Sequence, residues 1–156
     1  MPFAERATDS SKIRYWPGSI PLQYKYTAGV AGQRFLTELK DNGRITAPRC
    51  SKCKKAYLPP RLFCDNCFIR MQEWIEVRGE PFLYSWTISR RRRDGSMGEA
   101  QIIGLVRFKG VEGGLVHLIR AENQRKLRIG VRLKPVLREE SERTGSMRDI
   151  ECFRLL

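Results

Sequence analysis

Histidine occurs once in this chain, acids are outnumbered 17 to 30 by bases, and no apolar run approaches the length of a membrane span. Each scarcity excludes something. One histidine cannot furnish a histidine-rich metal site. That residue, His117, lies between Val116 and Leu118 on a predicted strand, on a face with Leu115 and Ile119. It is read as a core or surface histidine, not a catalyst. The acids are scattered with no pair placed for acid–base work, and no glycine-rich phosphate loop occurs. The opening "MPFAERATDSSK" lacks the apolar stretch of a secretory signal. The expectation is a cytoplasmic chain that does not enter a membrane and catalyses nothing alone.

What is present is charge, cysteine and β-pattern. A net charge of +13 asks for an anionic partner: nucleic acid, a phosphorylated cofactor or an acidic protein. With 156 residues, one ordinary domain or a small domain with an appendage is expected. Residues 1 to 28 include "YWPGSIPLQYKYTAG", an aromatic stretch without helical or strand period. It reads as an arm that packs on this chain or on a partner. From Thr27, the expected N-cap, the pattern turns helical, with Phe35, Leu36 and Leu39 on one face and Gly43 as the C-terminal cap.

Then comes "CSKCKKAYLPPRLFCDNC", residues 50 to 67. Each Cys-x-x-Cys knuckle offers two thiolates from one tight turn, and two knuckles complete a tetrahedral set. In a reducing compartment such pairs point to metal before disulfide. Cys50, Cys53, Cys64 and Cys67 are therefore the expected ligands of a structural Zn2+ with no coordination position left open. Iron could fill the same cage, as in a rubredoxin-like electron carrier, and the rivals to a metal are a redox dithiol pair or cysteines left free in a sheet. The intervening "KKAYLPPRLF" reads as a short hairpin, and the fifth cysteine, Cys152, as a small buried hydrophobe.

Beyond the knuckles the period falls to two. In "PFLYSWTIS", Phe82, Tyr84, Trp86 and Ile88 alternate with Leu83, Ser85, Thr87 and Ser89. Upstream "EWIEVRG" is expected to extend this into one long strand bent at Gly79. "QIIGLVRF", "GLVHLIR", "VRLKPVL" and "DIECFRL" follow, with Pro135 marking an edge or a bulge. Five strands match an OB-type barrel. The predicted architecture is mainly β with an N-terminal helix: arm and helix over 1–43, a rubredoxin-like four-cysteine zinc ribbon over 44–71, and a five-stranded OB-type barrel over 72–156. The loop "SRRRRDGS" places Arg90, Arg91, Arg92 and Arg93 between the first two barrel strands, able to meet phosphates or an acidic partner face.

In this order the pieces resemble a known family, the acyl-CoA-associated OB-fold proteins with a rubredoxin-like zinc ribbon, long known only as a domain of unknown function. The resemblance runs from about Tyr24 onwards, over "YTAGVAGQRFLTELKDNGRI", "LPPRLFCDNC", "EWIEVRGEPFLYSWT" and "LRIGVRLKPV". Two departures stand out: Lys54 follows the second cysteine where the family often has glycine, and Asp65 follows Cys64 where Cys-Pro is common. A left-handed backbone at Lys54 would cost about 1 kcal/mol relative to glycine. The resemblance implies a non-catalytic accessory subunit docked on a thiolase-like catalytic chain, helping to enclose CoA or acyl-CoA. Arg90 to Arg93 would then bind the CoA ester or the partner. A nucleic-acid-binding ribbon and barrel is the alternative, and the resemblance makes nucleic acid the less favoured partner.

Overall fold

The computed structural model of the chain describes residues 18, 23, 25–91 and 95–156. The arm expected over 1–28 lies largely outside these residues. Helix α1 spans Gly29–Asn42 and buries Ala31, Phe35 and Leu39 on one stripe. It starts one residue later than Thr27 suggested: Ala28 holds the N-cap position and supplies no side-chain hydrogen bond. Gly43 ends it as expected, donating to the Leu39 carbonyl while Arg44 donates to that of Glu38.

Among the described residues nine strands follow, in three sheets. Strand β1 (Thr46–Arg49) pairs antiparallel with β3 (Glu73–Glu76), framing the cysteine segment from both sides. Between them β2 (Tyr57–Leu58) pairs in parallel with β6 (Glu112–Gly113), more than fifty residues along the chain. The other five are β4 (Pro81–Arg91), β5 (Met97–Phe108), β7 (Leu115–Arg120), β8 (Leu133–Leu137) and β9 (Ile150–Leu155). They form one sheet in the order β4-β5-β7-β9-β8, with β7 and β9 parallel. A bridge between Phe82 and Arg132 returns the last strand to the first and closes the barrel.

The expected fold class is therefore found, and three details differ. "EWIEVRG" does not run into the first barrel strand. It pairs with β1, and at Gly79 the chain lies so close to the Lys109 backbone that a Cβ there would sit 2.1 Å from the Lys109 carbonyl oxygen. "KKAYLPPRLF" is not a hairpin: Ala56 and Leu58 accept hydrogen bonds from Glu112 and Gly114 instead. And the alternation in "PFLYSWTIS" changes phase, because a bulge lies between Leu83 and Ser85. Leu83 thereby enters the core, while Trp86 and Ile88, opposite Gly104 and Ile102, stay partly exposed. Pro135 lies on β8, at the end of the sheet order, one residue before a register shift.

The larger of two apolar clusters unites helix, cysteine segment and barrel. Phe35 and Leu39 of α1, Ala47, Ala56 and Leu58 of the cysteine segment, and Leu83, Val106, Leu133, Ile150 and Phe153 of the barrel pack as one cluster. Cys152 is buried on β9, and burial pushes its thiol pKa up, as suits a small apolar filler.

The connection from β8 to β9 is tied down by one buried carboxylate. Asp149 accepts from the backbone N–H of Thr144 at 3.0 Å, Gly145 at 2.8 Å and Ser146 at 3.2 Å, and from the Thr144 hydroxyl at 3.3 Å. Burial alone would raise its pKa, but these donors outweigh burial and hold the carboxyl below its ordinary value. Its contribution is thus present above the unfolded carboxylate pKa and is lost as pH falls through the lower folded value. Asp149→Asn is expected to cost about 2 kcal/mol at neutral pH, with the gap from wild type closing in acid. Urea unfolding at pH 7 and near pH 3 measures both values, and an unchanged gap would rule the carboxylate out as the tie.

Candidate metal centre

The two knuckles are built alike. Cys50 N–H donates to the Lys55 carbonyl and Lys54 N–H to that of Cys50, each at 2.9 Å. In the second knuckle Cys64 N–H donates to Ile69 at 3.0 Å and Phe68 N–H to Cys64 at 2.9 Å. The residue after each Cys-x-x-Cys takes the left-handed conformation, Lys54 at φ 62° and Phe68 at φ 54°. The backbone strain foreseen for Lys54 is therefore present, and Phe68 repeats it.

These turns bring all four sulfurs within 4.8 Å of one another. Cys53 and Cys64 stand 3.6 Å apart. A tetrahedron with Zn–S bonds of about 2.3 Å has S···S edges of about 3.8 Å. The donor set also has the right chemistry, being all sulfur with Cys50 and Cys64 buried. The four cysteines form a zinc-ribbon site.

Hydrogen-bond donors stand beside three of the four sulfurs. Cys53 N–H points at the Cys50 sulfur at 3.4 Å, and the Asn66 amide at the Cys67 sulfur at 3.8 Å. The buried Tyr57 hydroxyl lies 3.4 Å from the Cys64 sulfur. That hydrogen bond is the main reason the Cys64 thiol is pulled down to about 6. Arg61 sits over the Tyr57 ring at 4.8 Å and pairs with Asp65 at 2.9 Å. Tyr57 is the residue that sequence reasoning passed over. Its only signal was an aromatic between the knuckles, in a stretch read as a hairpin.

The arginine run is seen in part. Arg90 and Arg91 are exposed at the far end of β4, while Arg92 and Arg93 lie outside the described residues. His117 lies on β7, on the interior phase with Leu115 and Ile119 as the alternation predicted. Its ring meets Phe153 edge-on at 5.7 Å. Among the described residues no helix is long and apolar enough to cross a membrane.

A four-cysteine ribbon seated on a closed five-stranded barrel defines a zinc-ribbon protein of OB type. The family described as the ChsH2 rubredoxin-like zinc ribbon domain matches residues 37–70. A solved DUF35-family protein of unknown function from Sulfolobus solfataricus is similar over 81% of this chain and 84% of its own, at 27% identity and TM-score 0.61. A chain of the Ltp2-ChsH2(DUF35) aldolase is similar over 84% of this chain and 98% of its own, at 20% identity and TM-score 0.62. No curated protein matches the sequence. The ribbon match and the likeness over most of the chain support a DUF35-like build with an N-terminal rubredoxin-like zinc ribbon.

Proposed function

We propose that the chain is a non-catalytic accessory subunit of an acyl-CoA-processing complex, docked on a thiolase-type catalytic chain and helping to enclose the CoA moiety. The observation that carries this reading is the shared fold: a chain of the same ribbon-and-barrel build belongs to the Ltp2-ChsH2(DUF35) aldolase. In this role Cys50, Cys53, Cys64 and Cys67 hold a structural Zn2+. The metal would supply cross-linking of the ribbon, with all four ligand positions occupied by protein. Arg90 and Arg91, continued in sequence by Arg92 and Arg93, are suited to the pyrophosphate and ribose phosphate of CoA, which guanidinium groups bind through paired hydrogen bonds.

Co-expression with a thiolase-type catalytic chain encoded nearby tests the proposal. The two should co-elute, and CoA-ester turnover should require both. Changing Arg90 and Arg91 to Glu should raise KM for the CoA ester with little change in kcat. Separate elution, with turnover unaffected by this chain, would overturn it.

The exposed Tyr84 and Trp86 on β4, in a chain of charge +13, favour nucleic acid as a second reading. Absence of binding to single or double strands at low salt would remove it.

A further inference from the structure

The barrel has an outer face that neither the ribbon nor the arginine run accounts for. The register sets Ile103 opposite Leu118 and Leu105 opposite Val116 across β5 and β7. The alternate phase, Ile102, Val106, Leu115 and Ile119, fills the core, so these four point outwards. Val116 is 67% exposed and Leu118 is 40% exposed. An antiparallel sheet facing water is ordinarily polar on that side. An adjoining patch of aliphatic side chains there marks a contact surface.

Beside this face the β8–β9 connection stands as a wall. Its turn at Met147–Asp149 is held by the Asp149 carboxylate, and His117 Nε2–H donates to the Met147 carbonyl at 3.1 Å. Between wall and strands runs a groove of about 660 Å³, floored by Ile103, Val116 and Leu118, with Met147, Arg138 and Arg148 along it. Arg120, also at the groove, is paired with Glu151 at 2.9 Å. Among the described residues the guanidinium groups of Arg138 and Arg148 have no ion pair.

We propose that this groove is the docking site for a segment of the catalytic partner that presents an apolar side chain flanked by carboxylates. The proposal rests on the accessory-subunit reading and adds to it the surface and the chemistry of the contact. An aliphatic floor takes an apolar side chain, and two unpaired arginines beside it take carboxylates in bidentate geometry. The wall is already fixed by hydrogen bonds, so binding orders little that is not ordered beforehand. A second copy of this chain does not fit: the groove's one acid, Glu151, is already paired, and +13 would face +13. A nucleic acid fits poorly, because the floor offers no aromatic ring for a base to stack on.

Two arms test it. In the first, NMR follows the chain titrated with a Leu/Glu amphipathic peptide, the same peptide with Lys for Glu, and a single-stranded oligonucleotide. The Leu/Glu peptide should shift the amides of Val116, Leu118 and Arg148, and the double variant V116D/L118D should abolish this while keeping the wild-type circular dichroism. No shift, a shift elsewhere, equal binding of the Lys peptide, or oligonucleotide on this face would each overturn the proposal. In the second, V116D/L118D and R138E/R148E should each weaken the complex with the catalytic chain about 100-fold. Wild-type affinity in both variants would sink the groove and leave the accessory role standing. No complex with the unaltered chain would sink the accessory role, and the peptide arm would then decide the groove by itself.

Discussion

Stripping metal from the four-cysteine cage is expected to unfold the ribbon and lower the Tm of the whole chain by about 10–20 °C. The ribbon has little else to hold it. Around the four sulfurs its own cluster contains only Tyr57, Ile69 and Met71 as further apolar members. Three such side chains contribute about 2 kcal/mol each on burial, whereas a structural zinc contributes on the order of 10 kcal/mol. The damage should spread, because Ala47, Ala56 and Leu58 of the same segment belong to the core shared with the barrel. A chelator titration followed by circular dichroism, with released zinc measured by a metal dye, checks this. Recovery on adding zinc is expected. A shift under about 3 °C would show that the sulfurs need no ion to hold their arrangement.

Gly113→Ala should cost about 4 kcal/mol, the second large effect. Gly113 lies at φ 83°, and a Cβ there would fall 2.0 Å from the Leu58 carbonyl oxygen. That carbonyl accepts from Gly114 N–H at 2.8 Å, and Glu112 N–H donates to Ala56 at 2.8 Å. The two-residue parallel ladder is the seam between ribbon and barrel, so pushing it apart also withdraws the fully buried Leu58 from the core. Gly110→Ala is the control: its φ is 78° with no atom within 4 Å of the added Cβ, so it incurs only the left-handed penalty of about 1–2 kcal/mol. Urea unfolding of the two variants separates conformational strain from collision. If they lose the same amount, the seam is not where ribbon and barrel lock.

The parts legible in the sequence were those whose physics is local. Four cysteines at knuckle spacing specify their partners within a few residues. The outward–inward alternation of β7 needs no knowledge of its neighbours, and Gly43 after a helical stripe is a self-contained stop. What escaped depends on distant chain. Nothing near Tyr57 reveals that its strand pairs with Glu112, and nothing in "EWIEVRG" reveals that β1 is its partner instead of β4. The bulge after Leu83 reversed a face that periodicity alone had assigned. The groove was hidden for a similar reason. The stretch between "VRLKPVL" and "DIECFRL" carried no assigned element, and only the folded chain lays Met147 and Arg148 beside Val116 and Leu118.

The knuckles have one more consequence. They share a hydrogen-bond pattern, yet at the crest of one stands the ammonium of Lys54 and at the crest of the other the phenyl ring of Phe68, 83% exposed. Two halves with the same backbone plan therefore show different chemistry to whatever approaches them. Turned end for end, the ribbon would offer a cation where a ring had been, so a neighbour that recognises it can do so in one orientation only.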